Sequence, residues 1–150
     1  MEEIFKTIFT ACKALAFLKQ IAADEGQLES IDESGNPKPV ALLPCLLIDA
    51  QQTRWEAGDL VNQYGEATIV TRFAYRKIAD QSNLTKEATF EASVLALKKR
   101  SDIEKVIAAT IGTTGNHGRL IRLSTEREKR GDGIIVYRTM WGCSVKESLE

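Results

Sequence analysis

EATIVTRFAYR, residues 66–76, is the stretch that decides the fold. Ala67, Ile69, Thr71, Phe73 and Tyr75 fall on one side of an extended chain, and Thr68, Val70, Arg72 and Ala74 on the other. A two-residue period rich in β-branched and aromatic side chains marks a strand with one face turned to a core. Such a strand needs partners. Upstream, VALLPCLLIDA at residues 40–50 is nearly all apolar and carries Pro44, which makes it a poor helix. It reads as a central strand with Pro44 at a bulge or a sheet edge. Between the two, residues 51–65, QQTRWEAGDLVNQYG, read as a loop with Trp55 and Tyr64 as its large side chains.

Downstream, residues 85–98 read as a helix, with Thr85 as N-cap and Phe90, Val94 and Leu97 at helical spacing. Ser101-Asp102-Ile103-Glu104 matches a capping box and predicts a second helix reaching about Thr110. Residues 112–118, GTTGNHG, read as a flexible loop. The chain then predicts a hairpin, with strands at 119–125 and 134–145 around Arg130-Gly131-Asp132-Gly133, since Asp-Gly is a strong hairpin dipeptide. Upstream of everything, residues 2–20 carry Ile4, Phe5, Ile8, Phe9, Cys12, Leu15 and Leu18 at three- and four-residue steps, the pattern of an amphipathic helix. Residues 24–39 hold turn chemistry around a short strand at 27–31. The order predicts an α+β domain spanning 1–150: one mixed, mainly antiparallel sheet with an N-terminal helix and a central helix pair packed on it.

Composition narrows the function classes. With 20 Lys+Arg against 21 Asp+Glu, the chain lacks the basic excess of a dedicated nucleic-acid binder. No apolar run approaches the roughly 20 residues of a membrane span, and MEEIFK is acidic where a signal peptide is basic. Neither a membrane partner nor secretion is expected. Cys12, Cys45 and Cys143 are far apart, odd in number and set among apolar residues, which predicts buried, reduced thiols in a reducing cytoplasm.

The catalytic templates find little to hold them. His117 is the sole histidine, and its setting, GNHG, is that of a surface loop. GTTGNHG lacks the GK[ST] ending of a phosphate-binding loop and follows a helix instead of a strand. Asp49 closes an apolar strand near Glu56, Asp59 and Glu66, an arrangement some metal-dependent nucleases use, but no acid-x-Lys pattern follows on a second strand. No catalytic residue, metal or cofactor is expected. Arg119, Arg122, Arg127, Lys129 and Arg130 make a basic stretch that suits either a solvated hairpin edge or charged contacts across a subunit interface. With Trp55 and Tyr64, whose residue types concentrate in interface cores, Arg119, Arg122 and Arg127 are the candidate oligomer-interface residues.

Four segments carry a family likeness: EIFKTIFTACKALAFL, PKPVALLPCLLIDA, EATIVTRFAYR, and the run from SDIEKVIAATIG through GRLIRLSTERE to IIVYRTMWGCSV. In this order they resemble the tail-terminator and tail-completion (head–tail joining) proteins of long-tailed bacteriophages. The resemblance implies a non-enzymatic virion protein, assembled in the host cytoplasm as a homo-oligomeric ring, in its expected form a hexamer. The ring would cap the head-proximal end of the tail tube. Its implied partners are other copies of itself, the tail tube protein, the head connector proteins and DNA passing through the lumen. The residues lining such a lumen are not legible, and Arg72 and Lys77 are only guesses. Two other readings stay open: an adaptor domain binding a protein partner, and a metal-dependent nuclease using Asp49.

Overall fold

The computed structural model describes residues 1–56, 58–59, 61–77, 87–110 and 116–148. The elements are α1 (Glu2–Lys13), β1 (Gln20–Ala23), β2 (Cys45–Glu56), β3 (Asn62–Arg76), α2 (Glu87–Ala108), β4 (Ile121–Arg127) and β5 (Ile134–Ser148). Among the described residues the sheet has five strands in the order β1-β2-β3-β5-β4. β1 runs parallel to β2, and every other pair is antiparallel. Both helices pack on one face, so the α+β class and the mixed, mainly antiparallel sheet are those expected.

EATIVTRFAYR forms the heart of β3, and its alternation is the alternation of burial. Ala67, Ile69, Phe73 and Tyr75 are buried beneath the helices, with Ile4, Ile8 and Cys12 of α1 and Ile103 and Ile107 of α2 above them. Trp141 of β5 is fully buried in the same layer, and its indole N–H donates to Thr71 Oγ1 at 2.9 Å. Tyr137, half-buried, takes the Arg100 guanidinium over its ring at 4.5 Å. The hairpin turn uses Asp132 and Gly133, the glycine at φ +75°, where a side chain is costly.

Several boundaries differ from the sequence reading. Residues 51–65 are not a loop: β2 continues to Glu56 and β3 begins at Asn62, making a long hairpin with a bulge at Ala50/Gln52. This end of the hairpin is largely solvent-facing, so its composition is polar and the alternation that marks a buried strand is missing. Pro44 lies just before β2, after a cis Leu43–Pro44 peptide, and not at a bulge or edge within the strand. α1 stops at Lys13; Leu15, Phe17 and Leu18 continue its apolar pattern from turns and pack on the same core. The first strand is Gln20–Ala23, whereas residues 27–31 carry only an isolated bridge, Ile31 to Pro37. The two helical segments expected around Ser101 run as one helix, Glu87–Ala108. Ser101 does not interrupt it, because Glu104 turns toward β4 instead of back to a cap. Thr85 lies outside the described residues.

The other sheet face is partly roofed by residues 24–44. Leu28 seals a small cluster with Cys45, Leu47, Ala74, Ile134 and Val136. Arg72, on this face of β3, forks onto Glu128 through Nε and Nη2 at 2.8 Å each, and Nη1 donates to Asp24 at 3.0 Å. It also bonds Glu29. Arg130 forks onto Asp132 and donates to the Leu28 carbonyl at 2.6 Å. Burial alone would lower the Arg72 pKa, but its bonds to Glu29, Glu128 and Asp24 outweigh that and hold it raised. Arg72 is therefore a clasp for the roof.

Candidate functional site

The five candidate interface residues separate into two regions. Trp55 and Tyr64 lie at the far end of the β2–β3 hairpin, where Trp55 pairs with Gly65 and Tyr64 with Glu56 and Lys146. Their register puts them on opposite faces of the sheet. Both are exposed, and Lys146 Nζ stands 5.8 Å from the Tyr64 ring centroid. Trp55 borders a groove of about 1190 Å³ between the first turns of α1 and the strand ends, with Thr7, Thr53, His117 and Val145 also in its wall. The three arginines belong to β4 and its approach, three strands from β2 in the sheet order, about 14 Å away.

His117 corrects the surface-loop reading. It is 4% exposed and bridges to Val145 of β5. Its Nδ1 lies 2.9 Å from the Gly118 carbonyl oxygen, which requires a proton on Nδ1, and its Nε2 lies 3.3 Å from Thr7 Oγ1. The ring thus pins the approach to β4 onto α1. Of the glycine-rich segment before it, residues 112–115 lie outside the described residues. Gly118 lies against Ser144 of β5 and bonds its carbonyl through N–H at 2.8 Å.

On β4 the arginines have unlike tasks. Arg122 Nη1 donates to Glu104 Oε2 at 2.5 Å, and the other oxygen of that buried carboxylate accepts from Thr125 at 3.2 Å and Thr139 at 3.4 Å. Arg119 Nε donates to the Ala108 carbonyl at 2.7 Å, where it caps the last turn of α2 with a positive charge. Arg122 and Arg119 therefore tie α2 to the sheet. Arg127, paired in register with Tyr137, remains exposed.

Two apolar patches were not singled out from sequence as exposed. Phe90, Val94 and Leu97, spaced as one helical stripe, point to solvent with exposures of 52%, 49% and 36%. The inward positions of the same half-helix are Ser93 and Ala96. On β4, the edge strand, Ile121 and Leu123 are 64% and 59% exposed. Ile121 pairs with Gly142, and a register shift between Arg122 and Ser124 leaves Leu123 beside that glycine, whose missing Cβ would lie 3.3 Å from Leu123 Cδ1. Both side chains are therefore on the face away from α2. The only hint in sequence was the alternation LIRL at 120–123, which would equally mark a strand with a buried face.

The acidic residues near Asp49 do not converge. Asp49 and Glu66 share the face away from the helices, but Asp49 pairs with Val70, four residues along β3 from Glu66, about 13 Å. Asp59 Oδ1 instead accepts the N–H groups of Val61 at 2.9 Å and Asn62 at 2.7 Å, which ties the hairpin turn. Among the described residues no cluster of three His, Cys, Asp or Glu side chains could hold a metal ion. All three cysteines are buried and free; burial pushes the Cys12 thiol up to about 12 and the Cys45 thiol up to about 11. Among the described residues no helix is long and apolar enough to cross a membrane.

The architecture is thus an α+β sheet protein with two helices on one face, a clasped roof on the other and uncovered apolar residues on α2 and β4. No family model matches the chain, and no curated protein matches it. Among solved structures it is similar to a chain from the "Virion of native gene transfer agent (GTA) particle", with a TM-score of 0.56 at 10% sequence identity. The likeness covers 95% of this chain and 94% of that one, and at this identity it shows a shared fold.

Proposed function

We propose that the chain is a structural protein of a phage-like virion, working as a homo-oligomeric ring that ends a tail tube at its head-proximal side and joins it to the head connector. The observation that carries this reading is the end-to-end fold likeness to a chain of a gene transfer agent virion. The order of sequence segments resembling tail terminators supports the narrower assignment to the tail end. The uncovered stripe on α2 and the open edge of β4 suit a protein whose work is contact with copies and neighbours. Tail tube protein, head connector proteins and DNA in the lumen are the partners this reading entails.

Native mass spectrometry of the purified chain, followed by negative-stain imaging with and without tail tubes, tests it. The expected result is a closed ring, six copies in the simplest form, either free or on tube ends. A chain that stays monomeric at every concentration and ignores tube ends would refute the terminator reading.

A further inference from the structure

The seam between α2 and β4 holds more positive than negative charge. Arg122, Thr125 and Arg127 lie on the helix side of β4, paired in register with Trp141, Thr139 and Tyr137. Arg100 comes down from α2 onto the same Tyr137 ring, its guanidinium carbon 4.5 Å from the centroid. Among the described residues Glu104 is the carboxylate of this seam, and it is already taken by Arg122, Thr125 and Thr139. Glu104 Oε1 stays 3.9 Å from Arg100 Nε, and that Nε is buried with no hydrogen-bond partner, on a side chain only 31% exposed. Arg127 has no carboxylate partner among the described residues. Glu126 lies on the other face and accepts from Arg138 at 3.1 Å, and Glu128 holds Arg72. Asp102, two residues past Arg100, is about 200° round the helix, and Glu91 is about 13 Å back along it.

A buried N–H without an acceptor is costly, and an oxyanion satisfies a guanidinium with charge-assisted hydrogen bonds. We propose that Arg100 and Arg127, beside the Tyr137 ring, form a binding site for a dianionic phosphate group, as free phosphate or a monoester. Cations arriving from a helix and from a strand present their N–H groups in different directions. The tetrahedral oxygens of phosphate accept from both at once, and its charge matches both, whereas a carboxylate has two oxygens in one plane and a single charge. Stacking on Tyr137 holds the Arg100 plane before the ligand arrives. Burial is the main cause that raises the Tyr75 hydroxyl to about 12, and Arg127 and Arg100 both work against it, so both cations lie within electrostatic reach of the stacked pair Tyr75 and Tyr137. Such a site does not depend on ring assembly.

The test is thermal melting in inorganic phosphate against chloride, at equal ionic strength and neutral pH. At about twenty times the dissociation constant the melting temperature rises by roughly 4–7 °C. Arg127→Gln, at an exposed position, weakens phosphate binding at least tenfold and melts like the parent in chloride. Arg100→Lys keeps the charge but loses the planar fork, and weakens binding several-fold. Glycerol phosphate run alongside separates the sources: equal binding assigns the site to a monoester, and binding of phosphate alone assigns it to the free ion. No rise beyond that in chloride, or an equal rise in parent and Arg127→Gln, overturns the proposal. If Arg54→Gln, which removes an exposed arginine from the β2–β3 hairpin, weakens binding as much, only net charge is being read and the site is wrong. If acetate matches phosphate, or an oligothymidylate displaces it, the ligand is a carboxylate or a nucleic acid and the phosphate assignment is wrong.

Discussion

Replacing Arg72 by Met tests whether the roof over the second sheet face is held by charge. The Arg72 side chain is only 12% exposed, as is that of Asp24, and it forks onto Glu128 while also holding Glu29. Removing one partner of a buried ion pair costs about 3–5 kcal/mol, mostly because the remaining charge is left without compensation. Here the loss is smaller. Glu29 is half in water, and Arg130 stays 3.3 Å from Glu29 and 3.6 Å from Glu128. Asp24 is the carboxylate left most isolated, and we expect about 2–3 kcal/mol, a melting temperature lower by roughly 5–10 °C for a domain of this size. Thermal melts followed by circular dichroism measure it. Asp24→Asn in the Arg72→Met background should recover part of the loss, because it removes the orphaned charge. Arg72→Lys should fall between parent and Met variant, since an ammonium cannot fork onto several carboxylates. A melting temperature for Arg72→Met within about 2 °C of the parent would mean that solvent screens the cluster and that Leu28 and its apolar neighbours hold the roof alone.

Acid should loosen the same roof. The bonds from Arg72 hold the Glu29 carboxyl below its usual range, and the bond from Arg130 does so for Asp132, so their contribution is complete above the ordinary carboxylate range and disappears as pH falls through the lowered values. Melting temperature should therefore drop between about pH 5 and pH 2, and less steeply in Arg72→Met; an equal slope in both chains would contradict the assignment. Burial raises the Cys12 and Cys45 thiols to about 12 and about 11, so at pH 8 a thiol reagent should label them only after denaturant is added, and rapid labelling of the native chain would show that the core opens. His117→Ala should cost about 1–3 kcal/mol by urea unfolding, because it empties a buried position and takes the ring N–H from the part-buried Gly118 carbonyl, while Thr7 keeps its bond to the Glu3 carbonyl; no change would contradict a structural role for the ring.

The parts of this fold that were legible are those where one face meets the core and the other does not. EATIVTRFAYR announced β3 because its alternation is strict, and Asp132-Gly133 announced the last hairpin because few dipeptides make that turn. The far end of the β2–β3 hairpin was not legible. Its pairing depends on backbone hydrogen bonds between Gln52–Glu56 and Tyr64–Thr68, which any sequence can make, and the side chains of Arg54, Trp55, Glu56, Tyr64 and Glu66 face water. His117 was hidden for a related reason. Glycines on either side suggest a loop, and only the approach of α1 and β5 from distant sequence turns that position inward. Of the candidate interface residues, Arg122 illustrates the limit most clearly: a basic residue on a predicted edge looks free until a carboxylate from α2, Glu104, is found beneath it.

The stripe on α2 needs a different explanation, because its periodicity was visible and its direction was not. Helical spacing of Phe90, Val94 and Leu97 defines a face, and for a lone chain the large apolar face ordinarily turns inward. Here Ser93 and Ala96 take the inner positions, and the larger side chains are left in water. Small residues let the helix lie close to the body, and the second half of α2, with Ile103 and Ile107 in the core and Glu104 bonded to Arg122, fixes its rotation. A straight helix cannot satisfy both halves by turning. At roughly 25 cal/mol per Å² of apolar surface, leaving the stripe uncovered forgoes stabilisation that a simple exchange of residues would recover. A sequence that keeps this arrangement is explained if the surface is covered in the assembled state.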